Sequence, residues 1–168
     1  VRFLVENGQD PDNQLCTDDF AGHLAHNCNL SLKAIMGIAG FGRLLEMAGE
    51  RDEASSYTAI ARRMAQSWLK NAANGDGSYR LAFDQPGTFS MKYNVVWDRL
   101  LGLDIFPEDA FALECASYRG HIGRYGLPLD NRSDCTKSDW LVWIATLAGG
   151  REVFASFIEP LWRAYHES

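Results

Sequence analysis

Two long helical segments joined by a short link constrain the fold more than any other feature of this chain. Apolar side chains recur at helical spacing from about residue 30 to 48 and again from about 53 to 73. Gly49 is placed to end the first helix, and the link Glu50-Arg51-Asp52 is tight. Two long helices with so short a connection predict an antiparallel helical hairpin.

The first of these helices contains three glycines, Gly37, Gly40 and Gly42. Each costs roughly 1 kcal/mol relative to alanine inside a helix. We therefore expect a neighbouring helix to approach closely on this side. Charged residues interrupt the segment, so its uncharged run is too short for a membrane span.

The remainder of the chain predicts four further helices and few other elements. Residues 1–16 predict a short extended piece and a loop, 79–83 a short strand, and 120–137 a long loop. The four helices are expected at about 93–102, 107–118, 138–148 and 152–165.

Finer features of these helices can also be predicted. We expect Val96, Trp97, Leu100 and Leu101 to point inward, and Pro160 to kink the last helix. Thr136, with Asp139 three residues later, resembles a capping box. The chain is thus predicted to be a single all-α domain, 1–168, of about three helical hairpins with at most a short β element.

Composition excludes several classes of protein. The 168 residues are 46% hydrophobic and 23% charged, which is typical of one globular domain. The net charge is −6, and no basic cluster interleaves with aromatic residues, so nucleic acid is not expected as a partner. No segment predicts a membrane span. The chain opens on Val1 without an initiator Met, so we expect a fragment of a longer protein.

The four cysteines, at positions 16, 28, 115 and 135, show no CxxC spacing, so a zinc ribbon or thioredoxin-type site is unsupported. Pairing of Cys16 with Cys28, or of Cys115 with Cys135, stays open, although we favour free thiols.

Polar side chains are densest between residues 17 and 29. Asp18 and Asp19 are candidates for a general acid or base, or for charges that favour a helix N-terminus. His23 and His26 are spaced to share a face, and with Asp19 and Cys28 they could form a metal set.

An HxxH pattern alone is weak, so we predict no metal and favour capping or satisfied buried imidazoles. Both histidines are also candidates for substrate binding. Asn27 and Asn29 are expected to cap the following helix.

Two further stretches carry candidate site residues. The first is 92–99, where Asp98 is a candidate catalytic carboxylate or a structural partner of Lys92 or Arg99, and where Lys92 and Tyr93 are candidates for substrate binding. The second is 130–140. Its candidates are Asp130 and Asp139 for catalysis, and Asn131, Arg132, Lys137 and Trp140 for substrate binding.

Arg132 is of particular interest because a guanidinium binds a carboxylate in a bidentate manner. The alternative is a loop held by its own Asp and Asn turns. No spacing predicts a serine nucleophile, and Cys28 with His26 is too local for a thiol dyad.

Longer strings in the sequence carry a family resemblance over roughly residues 15 to 165. They are TDDFAGHLAHNCNLSLKAIMGIAGFGRLLEMAG, FDQPGTFSMKYNVVWDRLLGLDIFP, YGLPLDNRSDCTKSDWLVWIATLA and FIEPLW. These strings resemble the C-terminal module of the glutaminase A family. The resemblance implies an extracellular or periplasmic hydrolase that releases ammonia from glutamine. No cofactor is predicted. The resemblance also implies an α/α toroid of helical hairpins, similar to that of six-hairpin glycosidases, of which this chain would form a part.

Three hypotheses follow. In the first, one of the five aspartates activates water for hydrolysis of glutamine. In the second, the same fold binds or cleaves a saccharide. In the third, the isolated chain has no catalysis and is a helical scaffold or interaction module. Because the resemblance implies only part of a toroid, we also expect its edge to be covered by further domains of a parent chain or by another copy. The first two predict that the stretches 17–29, 92–99 and 130–140 converge.

Overall fold

A computed structural model describes residues 1–12 and 22–167 and confirms an all-α fold. Within these residues, two 3₁₀ turns, Tyr93–Val95 and Arg119–His121, accompany the α-helices, and β pairing is limited to isolated bridges. The α-helices are α1 Arg2–Asn7, α2 Cys28–Ala48, α3 Arg51–Asn71, α4 Val96–Leu101, α5 Ala112–Tyr118, α6 Ser138–Leu147 and α7 Arg151–Glu167.

Helices α2 and α3 form the predicted hairpin. The side chain of Asn27 accepts a hydrogen bond from the Leu30 amide at 2.8 Å and caps α2. Gly49 ends α2 in the left-handed conformation, with φ of 89°. A methyl group on Gly42 would lie 3.0 Å from the Thr58 hydroxyl, so this glycine permits the close approach of α3.

The second hairpin consists of α6 and α7. A third hairpin, predicted from the segments 93–102 and 107–118, is not formed, because α4 and α5 both pack on α6. The prediction that α5 begins at Pro107 was wrong, since the helix begins at Ala112, after turns at residues 108–111. Gly102 adopts a left-handed conformation and ends α4 after six residues.

Several local predictions were wrong. The first residues form α1 instead of an extended piece, because Leu4 packs against Gly37 of α2. Only Val96 of α4 is buried; Trp97, Leu100 and Leu101 are 38%, 65% and 53% exposed because the short helix presents one narrow face to the core.

The predicted capping box at Thr136 and the predicted strand at 79–83 are not formed. Among the residues that the structure describes, no side chain caps α6, and the buried Thr136 hydroxyl has no hydrogen-bond partner. Residues 79–83 form isolated bridges, Ala73 to Tyr79 and Asn27 to Ala82, instead of a strand. Helix α7 continues through Pro160.

An aromatic core connects the first hairpin to the rest of the chain. Trp68 is fully buried, and its indole N–H donates to the Cys28 carbonyl at 2.8 Å. The rings of Tyr79, Phe106 and Phe111 lie 4.8 to 6.2 Å from it, centroid to centroid. Among residues 1–12 and 22–167, no helix combines the length and hydropathy that a membrane span requires.

Candidate functional site

Parts of the three predicted stretches meet at the segment before α4. The Asn94 side chain donates to the Asn29 carbonyl at 3.2 Å, and the Asn94 amide donates to the Asn29 side chain at 3.4 Å. Tyr93 stacks on Trp140 of α6, with centroids 4.1 Å apart and planes within 11°. Asn29 therefore lies within α2, where it binds Asn94, and it does not cap the helix.

The loop at 127–135 is tied to residues 89–91 by backbone pairing. The Met91 amide donates to the Leu129 carbonyl at 2.8 Å, and the Phe89 amide donates to the Asn131 side chain at 3.1 Å. The amide oxygen of Asn131 therefore fixes this loop.

Asp130 and Arg132 bind each other. Asp130 is 4% exposed, and its two carboxylate oxygens accept from the guanidinium of Arg132, at 3.0 Å from Nε and 2.6 Å from Nη2. The Arg132 amide donates to the same carboxylate at 2.8 Å. The predicted base and the predicted clamp therefore form one bidentate pair within their own loop.

Lys92 lies inside the fold, in a charged cluster with Glu114. Both residues are 1% exposed, and Lys92 Nζ lies 3.3 Å from a Glu114 oxygen. The ammonium also donates to the Tyr79 carbonyl at 3.1 Å, the Ser90 carbonyl at 2.8 Å and the Ser90 hydroxyl at 3.0 Å. This placement favours a structural role for Lys92.

Two members of this cluster, Glu114 and Tyr118, were not predicted from the sequence. The Tyr118 hydroxyl donates to Glu114 at 2.8 Å and accepts from the Lys92 amide at 2.9 Å. Burial, together with the Glu114 charge, raises the pKa of Tyr118 well above its usual range. Their spacing could have predicted that they are buried. Glu114 and Tyr118 follow the buried Phe111 by three and seven residues and therefore share its helical face.

Asp98 closes the turn that follows α4. One carboxylate oxygen accepts from the Ile105 amide at 3.0 Å and the other from the Phe106 amide at 2.9 Å. Both oxygens are therefore engaged by the backbone, an arrangement that favours a structural role.

The histidines lie at the surface. His26 Nδ1 lies 2.9 Å from Asp10, and this hydrogen bond and the Asp10 charge raise the pKa of His26 above 6.5. His23 is exposed. No three His, Cys, Asp or Glu residues in the described ranges are grouped to hold a metal ion. Asp18 and Asp19 lie outside the described residues.

The described cysteines carry free thiols. Burial raises the pKa of both Cys28 and Cys115 to about 12, which disfavours the thiolate that a nucleophile needs. Cys135 is exposed.

Lys137 and Asp139 reach an open cleft of about 720 Å³ between the 123–139 loop and α7, here called the loop–α7 cleft. Lys137 Nζ lies 4.4 Å from the centre of the Trp140 ring, and Asp139 is exposed in the first turn of α6. Other polar residues lining the cleft include Arg124, Tyr125, Asp134, Thr136 and Tyr165.

Comparison with known proteins identifies the family. The family model described as "Glutaminase A six helical-hairpin domain" matches residues 1–168. The chain belongs to the glutaminase A family. Its relatives include "Glutaminase A" of Aspergillus oryzae, which is 35% identical over 149 residues, 87% of this chain and 22% of the relative.

A second relative, named "Probable glutaminase", comes from Arthroderma benhamiae. It is 30% identical over 166 residues, 82% of this chain and 19% of the relative. The chain thus spans about a fifth of the length of these two relatives.

Proposed function

We propose that this chain is part of a longer glutaminase A-type hydrolase that releases ammonia from glutamine. The observation that carries the proposal is the family match over residues 1–168, together with a relative named glutaminase A at 35% identity. Catalysis by a carboxylate that activates water is the chemistry that the polar residues of this chain support best.

Asp139 is the carboxylate that we assign to this step. In Asp98 and in Asp130, both carboxylate oxygens accept structural hydrogen bonds. Asp139, in contrast, is exposed and lines the loop–α7 cleft. No described residue forms a hydrogen bond or ion pair with its carboxylate. A carboxylate in this state has lone pairs for accepting a proton from water.

The same cleft has groups that complement an amino-acid substrate. Glutamine carries a carboxylate and an ammonium group, which complement Lys137 and Asp134. The cleft volume of about 720 Å³ is within the usual range for small-molecule sites.

The test is ammonia release from glutamine by the longer parent protein, with Asp139→Asn compared with the wild type. We expect kcat to fall roughly 100-fold or more, as for loss of a general base. The matched control is Asp109→Asn, an exposed aspartate outside the cleft, which should leave kcat unchanged. Lys137→Gln should raise KM more than it lowers kcat, because it removes a binding charge.

The outcomes separate site from function. Full activity of Asp139→Asn, with loss of activity in Asp18→Asn or Asp19→Asn, would move the catalytic role to residues 18 and 19. A parent protein that releases no ammonia from glutamine would refute the function itself.

Saccharide binding is the second candidate, because Tyr125 and Tyr165 line the same cleft and are 42% and 69% exposed. Exposed aromatic rings present flat apolar faces that suit sugar rings. Calorimetry that shows heat with oligosaccharides and none with glutamine would favour this function. No heat with either ligand would favour a scaffold.

A further inference from the structure

We propose that a second cleft, remote from Asp139, is a docking groove for an acidic polypeptide segment. This cleft lies between α2, α3 and the loop at 102–105 and has a volume of about 1070 Å³; it is here called the α2–α3 groove. None of the predicted site residues within the described ranges lines it.

The groove concentrates positive charge on an acidic chain. Four arginines line it, against one glutamate and one aspartate, for a local net charge of +2, whereas the whole chain carries −6. The charged residues are Arg43, Arg51, Arg62, Arg63, Glu46 and Asp104. This contrast gives electrostatic complementarity to a negatively charged partner.

Most of this positive charge is unneutralised. Arg43 pairs with Glu46 one turn away on α2. In the described parts of the chain, Arg51, Arg62 and Arg63 make no ion pair. A guanidinium presents a rigid fork of donors that binds carboxylates well, so these three side chains are suited to carboxylates from outside.

The shape of the groove favours a polypeptide over a small anion. Two exposed small residues, Ala59 of α3 and Gly102 of the loop, form part of its surface. Their short side chains permit close approach by another backbone. The volume of about 1070 Å³ also exceeds what a single phosphate or carboxylate needs.

The occupant we assign is an acidic segment from the remainder of the longer protein. The family is described as a six helical-hairpin domain, whereas the described residues form two hairpins, and the matched segments make up only 22% and 19% of the two relatives. The assignment therefore rests on the proposed function in one respect, the existence of a longer parent. The binding itself does not require glutamine hydrolysis.

The test is fluorescence anisotropy of a labelled hexaglutamate peptide titrated with the full chain at low salt. We expect binding that weakens as salt is added. The double variant Arg62→Glu/Arg63→Glu should weaken it by roughly tenfold or more, the loss expected for two carboxylate contacts. The control Lys70→Glu/Arg119→Glu makes the same change in net charge at exposed positions outside the groove and should bind as the wild type does.

Inorganic phosphate and citrate are added as competitors to test whether the groove binds small anions. If both compete weakly and the hexaglutamate stays bound, the result supports a polypeptide occupant. Three results would overturn the proposal: no binding of hexaglutamate, equal weakening in the two double variants, or displacement of the peptide by phosphate at equal concentration. Because no step measures ammonia, failure here leaves the proposed function untouched, and the converse also holds.

Discussion

Two lysines with the same predicted role occupy opposite environments. Both Lys92 and Lys137 were predicted to bind substrate. Lys92 is 1% exposed and lies 3.3 Å from Glu114, whereas Lys137 is exposed at the loop–α7 cleft with its ammonium over Trp140. A buried charge must keep a partner because of its desolvation cost, while an exposed charge remains hydrated. Burial, more than residue type, therefore separates the structural cation Lys92 from the solvent-exposed Lys137.

The largest expected effect comes from breaking the buried pair. Lys92→Met leaves the Glu114 carboxylate buried without its cation, so the free energy of unfolding should fall by about 3–5 kcal/mol. Urea denaturation at neutral pH measures this.

A second variant separates charge from packing. In Lys92→Met/Glu114→Gln the uncompensated charge is gone while the amide oxygen still accepts hydrogen bonds, so part of the stability should return. Equal destabilisation by the single and double variants would show that the ion pair is not what Lys92 contributes.

The next effect concerns Asp98. Asp98→Ala leaves the buried Ile105 and Phe106 amides without their acceptors, which should cost about 1–3 kcal/mol of unfolding free energy. Asp98→Asn keeps one acceptor oxygen, so its unfolding free energy, measured by urea denaturation, should lie between those of the wild type and Asp98→Ala. Unchanged stability of Asp98→Ala, with ammonia release lost in the parent protein, would instead restore Asp98 as a catalytic candidate.

A smaller effect is expected at Lys137. Lys137→Met should change the unfolding free energy by less than about 1 kcal/mol, because an exposed cation–π contact contributes little. Measured beside Lys92→Met under the same conditions, it tests the comparison directly. A loss as large as that of Lys92→Met would remove the distinction between the two lysines.

The smallest effect is the pH response of the exposed pair Asp10–His26. The pKa of His26 is raised above 6.5 by Asp10, so the stabilisation is fully present below pH 6.5 and is lost as pH rises through the raised value. NMR titration of the His26 ring should give a lower pKa in Asp10→Asn. If the pKa is the same in both proteins, Asp10 is not its cause.

Helix periodicity was enough to predict much of the fold. The spacing of apolar residues and the position of Gly49 predicted the α2–α3 hairpin, and both of its helices were expected within two residues of their observed bounds. The last two helices were also predicted closely, as 138–148 and 152–165 against Ser138–Leu147 and Arg151–Glu167. Helical patterns and end signals are local, so they can be read from neighbouring residues.

The candidate site was less accessible to sequence reasoning. The sequence predicted that the stretches 17–29, 92–99 and 130–140 converge. Parts of them do meet, because Asn94 binds Asn29 and Tyr93 stacks on Trp140. The sequence could not show that Asp130 and Arg132 neutralise each other, since loop conformation determines which carboxylate is left exposed.

The amino-acid sequence by itself therefore determined the all-α class, the two helical hairpins and the residue types available for chemistry. Only the tertiary structure decided which charges are structural. Lys92 and Glu114 are 22 residues apart and Asn29 and Asn94 are 65 apart, so each pairing exists only after the helices pack. The cost of burying a charge depends on everything packed around it, and no local pattern contains that information.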